Sequence, residues 1–129
     1  MTNKTAAHLI AEARARTGHL TAAEVAAELR EQSVLLVDLR EPDERVEHGV
    51  IGGAVHAPRG MLEFYADPTR AYFHPEFDPA RRTILYCASG GRAALAAETL
   101  LTLGYTRVAY LKGGLQAWLE AGYEVEFPA

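Results

Sequence analysis

From Thr83 onward the chain switches between two hydrophobic periods at short, regular intervals. "TILY" is an apolar run of strand length, "RAALAAETLL" is rich in strong helix formers, and Gly104 stops it. "VAYL" is apolar and β-prone again, and "LQAWLEAG" returns to helical spacing with a closing glycine. Consecutive strands joined by helices cannot pair as hairpins; the helices are crossovers, and crossovers join parallel strands. The pattern predicts an α/β fold of three layers, α/β/α, around a central and mainly parallel sheet.

The upstream half fits the same plan less sharply. Residues 4–16 read as a helix whose strong apolar anchors are Leu9 and Ile10, so residues 1–18 are expected to be an N-terminal helical appendage and 19–129 the domain proper. Thr21 with Glu24 three residues on is a capping box, opening a helix to about Arg30. "SVLLVDLRE", residues 33–41, is a buried strand ending in charge, and Pro42 suits the first turn of a short helix to about Glu47. A glycine-rich turn leads to a short strand at Val55 to Ala57. Residues 59–82 are expected to hold a short helix around Met61 to Tyr65 and then a long surface connection broken by Pro68, Pro75 and Pro79.

A chain of 129 residues is the size of one domain with its own core, and 49% hydrophobic with 23% charged residues is the balance of a globular protein. The formal charge of -4 carries no electrostatic footprint for nucleic acid. No apolar run approaches the roughly 18 residues that span a bilayer, and the first residues lack the h-region of a signal peptide. The expectation is therefore no membrane, no nucleic-acid partner and a cytoplasmic location. His48, His56 and His74 show no metal-ligand spacing, so no metal is expected.

One cysteine, Cys87, sits where the strand ends and the helix is about to begin. A lone cysteine closes no internal disulfide, so its thiol is either core filler or chemistry. In parallel α/β sheets ligands bind beyond the carboxyl ends of the strands, which is where Cys87 falls. The Ala88-Ser89-Gly90-Gly91 loop can curl until backbone N–H groups face inward, and the next helix adds the positive end of its dipole. Such a cup holds an anion and favours a thiolate, the nucleophilic form of cysteine. A packing cysteine needs neither the amide-rich loop nor the guanidinium of Arg92.

"YCASGGRAALAAETLLTLGYTRVAYLKGGLQAW" resembles the active-site half of the rhodanese superfamily, with its Cys-x-x-Gly-x-Arg loop, "GY" and "GG...W" ending. "VLLVDLREPDE" is similar to that family's Asp-x-Arg strand end, and "GGAVHAPRG" to its Gly-Ala-x-x-x-Pro turn. The likeness spans about residues 20–122. It implies a thiosulfate sulfurtransferase in which Cys87 takes sulfane sulfur from a small anionic donor, becomes a persulfide and passes the sulfur to cyanide, a thiol or a protein acceptor. The amides of Ala88, Ser89, Gly90, Gly91 and Arg92 would hold the added charge, with no cofactor. Phosphatases of related shape have one residue more between cysteine and arginine than the four found here, which puts that reading, and an arsenate reductase, behind sulfur transfer. A non-catalytic binding module is the rival from another class.

Two roles are open to Arg92: binding the donor's anionic end, or capping the loop through its carbonyls. Arg59, after Pro58, is expected either to line the pocket mouth and attract thiosulfate or to be a solvated surface group. Asp38 and Arg40 are expected to support the site structurally, since a carboxylate at a buried strand end ties down neighbouring loops. The Gly49-Val50-Ile51-Gly52-Gly53-Ala54 stretch departs from the family's usual Gly-His-Ile-Pro-Gly-Ala, which makes that turn more pliable.

Overall fold

Two alternating sets of apolar side chains on three central strands organise the molecule. The computed structural model describes residues 3–128; residues 1, 2 and 129, at the outer ends of the expected appendage and domain, lie outside the described residues. In chain order the elements are α1 (Ala6–Arg16), β1 (Gly18–Leu20), α2 (Ala22–Glu28), β2 (Leu35–Asp38), α3 (Pro42–His48), β3 (Val55–His56) and a 3-10 turn (Arg59–Met61). There follow α4 (Leu62–Ala66), β4 (Thr83–Tyr86), α5 (Gly91–Thr102), β5 (Val108–Leu111) and α6 (Gly114–Glu120).

The strands form one sheet in the order β1-β5-β4-β2-β3, every pair parallel. β2, β4 and β5 are buried along their whole lengths, as strands covered on both faces must be. Because successive side chains point to opposite faces, Leu35, Val37, Leu85 and Tyr110 join one core with residues of α1, α4 and α5. Leu36, Ile84, Tyr86 and Leu111 join another with Ala22 and Val25 of α2 and Leu115 and Trp118 of α6. This is the expected three-layer α/β/α arrangement.

From β2 the chain moves outward to β3, and from β4 it moves outward the other way to β5. The carboxyl ends of β2 and β4 therefore flank the crevice where connections diverge, the position at which open parallel sheets bind ligands. Asp38 lies opposite Tyr86 in the register across this crevice, and Cys87 is the next residue of the chain.

The observed elements stay close to the expected ones. Both Thr5 and Thr21 accept N-terminal helix amides in capping boxes. β1 has no counterpart in the sequence reading, because three residues with mostly exposed side chains carry no periodic signal. The segment expected as a helical appendage holds α1, whose Ala13 is wholly buried, and Gly18 already pairs with β5. Residues 67–82 form no regular element, yet Phe77 is buried and the Tyr65 and His74 rings stack with centroids 4.1 Å apart. Among the described residues no helix is long and apolar enough to cross a membrane.

Helix α5 is wedged between the sheet and both α1 and α4, and it meets them with Ala93, Ala94, Ala96 and Ala97, all wholly buried. Alanine gives strong helix propensity and the small radius this close approach requires. Ala96→Leu is expected to overpack this face and lower stability by about 1–3 kcal/mol in urea titrations. An unchanged midpoint would mean that the helix has room to move.

Candidate functional site

Cys87 follows β4 directly, and its loop is clamped from the opposite side. The N–H of Leu115 donates to the Cys87 carbonyl at 2.9 Å and the N–H of Gln116 to the Ala88 carbonyl at 3.2 Å, both from the first turn of α6. This contact requires two glycines, Gly113 at the N-cap and Gly114 as the first residue of the helix. A Cβ on Gly114 would run into the Cys87 carbonyl and lie 2.6 Å from the carbonyl carbon of Ala88, and its φ of 60° is left-handed. Gly90 has a φ of 109° and packs against the backbone of Gly113. One residue further round the loop a peptide hydrogen meets the sulfur: Gly90 N–H donates to Cys87 Sγ at 3.1 Å. Among the described residues it is the one amide bonded to Sγ.

The thiol lies at the foot of the loop, with Cys87 1% exposed and packed in the same core as Leu85 and Tyr110. Burial alone is what a packing cysteine shows; the amide on its sulfur, at the start of α5, is what a packing cysteine does not need. Ser89 is exposed at the crest of the loop.

Asp38 ends β2 as a wholly buried hub. It accepts from the Arg40 N–H and Nε at 3.0 Å, from Arg40 Nη2 at 2.8 Å, from Arg45 Nε at 3.1 Å and from the Tyr86 hydroxyl at 3.0 Å. Burial pushes the Asp38 carboxyl up, but the bonds and charge from Arg40 outweigh it and hold it below the usual carboxylate range. Burial, then the Asp38 charge, pushes the Tyr86 phenol well above its ordinary value, so it stays a donor. Arg40 reaches on to the Gly49 carbonyl at 2.7 Å, while the Arg40 carbonyl accepts from His56 Nε2 at 2.6 Å, which places a proton on that nitrogen. The Tyr86 hydroxyl accepts in turn from the Ile51 N–H at 3.1 Å, so the hub pins the pliable 49–54 turn to the sheet.

Arg92 is engaged by a residue of another element, one that the sequence did not point to. Its guanidinium is clasped by Glu44 of α3, with Nη1 and Nη2 each 2.8 Å from a carboxylate oxygen. The pair holds the Glu44 carboxyl down at about 2, against the opposing effect of burial, and pushes Arg92 up. Arg59 is not brought to the loop. Its Nη1 meets Glu63 of α4 at 2.8 Å and its Nη2 meets Thr99 of α5 at 3.1 Å, because the 3-10 turn after Pro58 carries it along α5. Of the two places open to Arg59 in the sequence, these contacts set it against α4 and α5 and not among the residues of the two clefts beside the loop.

Two clefts flank the loop and meet at Ser89. One, of about 330 Å³, lies between Arg40, Glu44, His48, Leu115, Gln116 and the Ala88-Ser89 backbone. The other, of about 470 Å³, is bounded by Arg14, His19, Tyr110 and Lys112. Among the described residues no three His, Cys, Asp or Glu side chains cluster as a metal site.

Sequence reasoning missed Glu44 and Arg45 because acidic and basic residues on a short helix look solvated until the fold supplies their partners. Gly113 and Gly114 did leave a signal, since two adjacent glycines at the start of a helix demand a backbone reason.

A family model described as the rhodanese-like domain matches residues 21–121. A sulfurtransferase of Allochromatium vinosum is 35% identical over 97 residues, covering 75% of this chain and 82% of that protein. A Rhodopseudomonas palustris protein of unknown function, described as a possible tyrosine phosphatase, superposes with a TM-score of 0.91 at 36% identity, over 98% of this chain and 97% of that one. The homodimeric polysulfide-sulfur transferase of Wolinella succinogenes gives a TM-score of 0.75 at 28% identity, over 93% of this chain and 85% of that one.

Two outcomes test this scaffold. Gly114→Ala is expected to cost about 1–3 kcal/mol and to shift the Gly90 amide resonance as the loop is displaced; a native-like spectrum would show the clamp to be loose. Glu44 titrates below its ordinary 4.5, so its pair with Arg92 stabilises the fold above that pH and is lost as pH falls toward about 2. Glu44→Gln should flatten part of the acid limb of the stability curve in this window, leaving the share carried by Asp38. An acid limb identical to that of the unaltered protein would remove the pair from the scaffold.

Proposed function

Because the chain belongs to the rhodanese-like domain family, we propose that it is a sulfurtransferase carrying sulfane sulfur as a persulfide on Cys87, from thiosulfate or a related donor to cyanide or a thiol. The observation that carries this reading is the Gly90 N–H on Cys87 Sγ, in a loop whose carbonyls are held away by α6.

The chemistry follows from where charge goes. The Cys87 thiolate attacks the outer sulfur of thiosulfate, a sulfur–sulfur bond to Sγ forms, and the donor's own sulfur–sulfur bond breaks with its electron pair leaving on sulfite. Cyanide then attacks the outer sulfur of the persulfide, thiocyanate departs, and the thiolate returns. In both steps the negative charge passes between Sγ and an atom one bond beyond it. The Gly90 amide and the first amides of α5, which have no partner within the helix, stabilise charge over that span. Ala88, Ser89, Gly90 and Gly91 form the cradle in this reading, and Arg92 braces it through Glu44. The reaction moves sulfur between nucleophiles and calls for no cofactor.

A phosphatase is the second reading, favoured by the description of the Rhodopseudomonas palustris structure. Phosphoryl transfer in such a loop needs a guanidinium free to grip the phosphate oxygens. Here both terminal nitrogens of Arg92 are on Glu44, and Cys87 is 1% exposed, room better suited to one sulfur atom than to a tetrahedral anion. Sulfur transfer is therefore the reading we retain.

Incubation with thiosulfate, followed by intact-mass measurement, is expected to add one sulfur atom that cyanide removes as thiocyanate. Cys87→Ser should accept none. Absence of the adduct in the unaltered protein, or its persistence in Cys87→Ser, would overturn the proposal, and turnover of an aryl phosphate would favour its rival.

A further inference from the structure

The two clefts that meet at Ser89 differ in charge. In the smaller one every ionised group of the scaffold has a counter-ion: Arg40 is paired with Asp38 and Glu44 with Arg92. In the larger one, bounded by Arg14, His19, Ser89, Tyr110, Lys112 and Gly113, no carboxylate lines the walls among the described residues. Among the described residues neither Arg14 nor Lys112 makes an ion pair, although Arg16, one half-turn along α1, binds Glu98 at 2.9 Å.

This cleft is built by the fold. His19 stands opposite Tyr110 in the β1–β5 register, with ring centroids 6.0 Å apart, and the Lys112 N–H is bonded to the Leu20 carbonyl at 2.9 Å. Arg14 is placed by the burial of Ala13 next to it, in the helix whose Ile10 side chain reaches Gly91 at the start of α5. Arg14 and His19 precede residue 21, where the family match begins, so this wall of the cleft lies outside the matched residues.

We propose that the Arg14–His19–Lys112 cleft docks an anionic group, sulfonate or carboxylate, that is joined to a sulfane sulfur. It rests on the sulfurtransferase reading and adds to it the residues that select the anionic end of the donor. The charged end sits between Arg14 and Lys112 while the sulfur reaches Cys87 past Ser89. In the transfer, the bond from Sγ to the outer sulfur forms and the bond from that sulfur to the anionic remainder breaks, the electron pair leaving on the remainder. With thiosulfate the remainder is sulfite, and its two negative charges stay beside the two cations as it departs. The scaffold acids do not oppose this, since each is already neutralised by its own guanidinium.

Three donors and one unreactive probe test the site in the full chain: thiosulfate, glutathione persulfide, the persulfide of mercaptoethanol, whose organic part is uncharged, and sulfate. Arg14→Ala and Lys112→Ala should each raise the thiosulfate KM about threefold, and the pair about tenfold, with kcat kept. A parallel rise for glutathione persulfide assigns the site to carboxylates as well, and a rise for thiosulfate alone restricts it to sulfonates. The mercaptoethanol donor should be indifferent. Sulfate should shift the Lys112 and Gly113 amide resonances in the unaltered protein and not in the double variant. Unchanged KM for both anionic donors, or an equal rise for the uncharged one, overturns the proposal. If no sulfur is transferred and sulfate still reports on Arg14 and Lys112, the sulfurtransferase reading fails and the anion site stands. If sulfur is transferred and neither readout depends on these residues, the site fails and the reading stands.

Discussion

The two hydrogen bonds from the first turn of α6 to the Cys87 and Ala88 carbonyls determine what the cysteine loop can do. In a trans peptide the carbonyl and the next N–H point in opposite directions, and no cis bond is found among the described residues. Drawing the Cys87 and Ala88 carbonyls toward α6 therefore turns the amides of Ala88 and Ser89 the other way. The same constraint explains why α6 starts on Gly113 and Gly114: any side chain at 114 would hold the helix off the carbonyls it must reach. Pocket polarity is thus decided by backbone orientation, with side-chain chemistry added to it.

On the other flank the scaffold is ionic. Helix α3 has no buried residue, so apolar packing contributes little to its position. It is held instead by Arg45 on Asp38 and Glu44 on Arg92, two contacts from consecutive residues to two different elements. A buried carboxylate of this kind is costly to desolvate, and Asp38 offsets the cost with bonds from Arg40, Arg45 and Tyr86. What results is a fixed angle between the end of β2, the 49–54 turn and the start of α5. Rigidity at the crevice, more than net stability, is what such a hub supplies.

The central strands, the long α5 and the position of Cys87 were legible because each depends on a local signal: an apolar run, alanine and leucine at helical spacing, a strand-to-glycine junction. Asp38 and Arg40 were legible as structure for a related reason, since charge at the end of a buried strand needs partners nearby in the chain. β1 was hidden because three residues carry no period, and its pairing with β5 spans most of the sequence. The partners of Arg92 and Arg59 were hidden for the same cause: Glu44 and Thr99 lie 48 and 40 residues away, and nothing in a guanidinium records which carboxylate or hydroxyl the fold will bring to it.

These pairings bear on chemistry at the loop because the chain as a whole is acidic, with a formal charge of -4. An anionic sulfur at Cys87 would be repelled by any free carboxylate close by, and the effect would grow in the low dielectric of the buried site. Asp38 and Glu44, the acids built into its scaffold, are each tied to a guanidinium that cancels their field at short range. Among the described residues Arg14 and Lys112, on the opposite side of Ser89, have no such partner, so the two clefts differ in the charge of their walls. On the proposed docking, a negatively charged protein receives an anion at a cleft set by which of its charges have been paired and not by how many it carries.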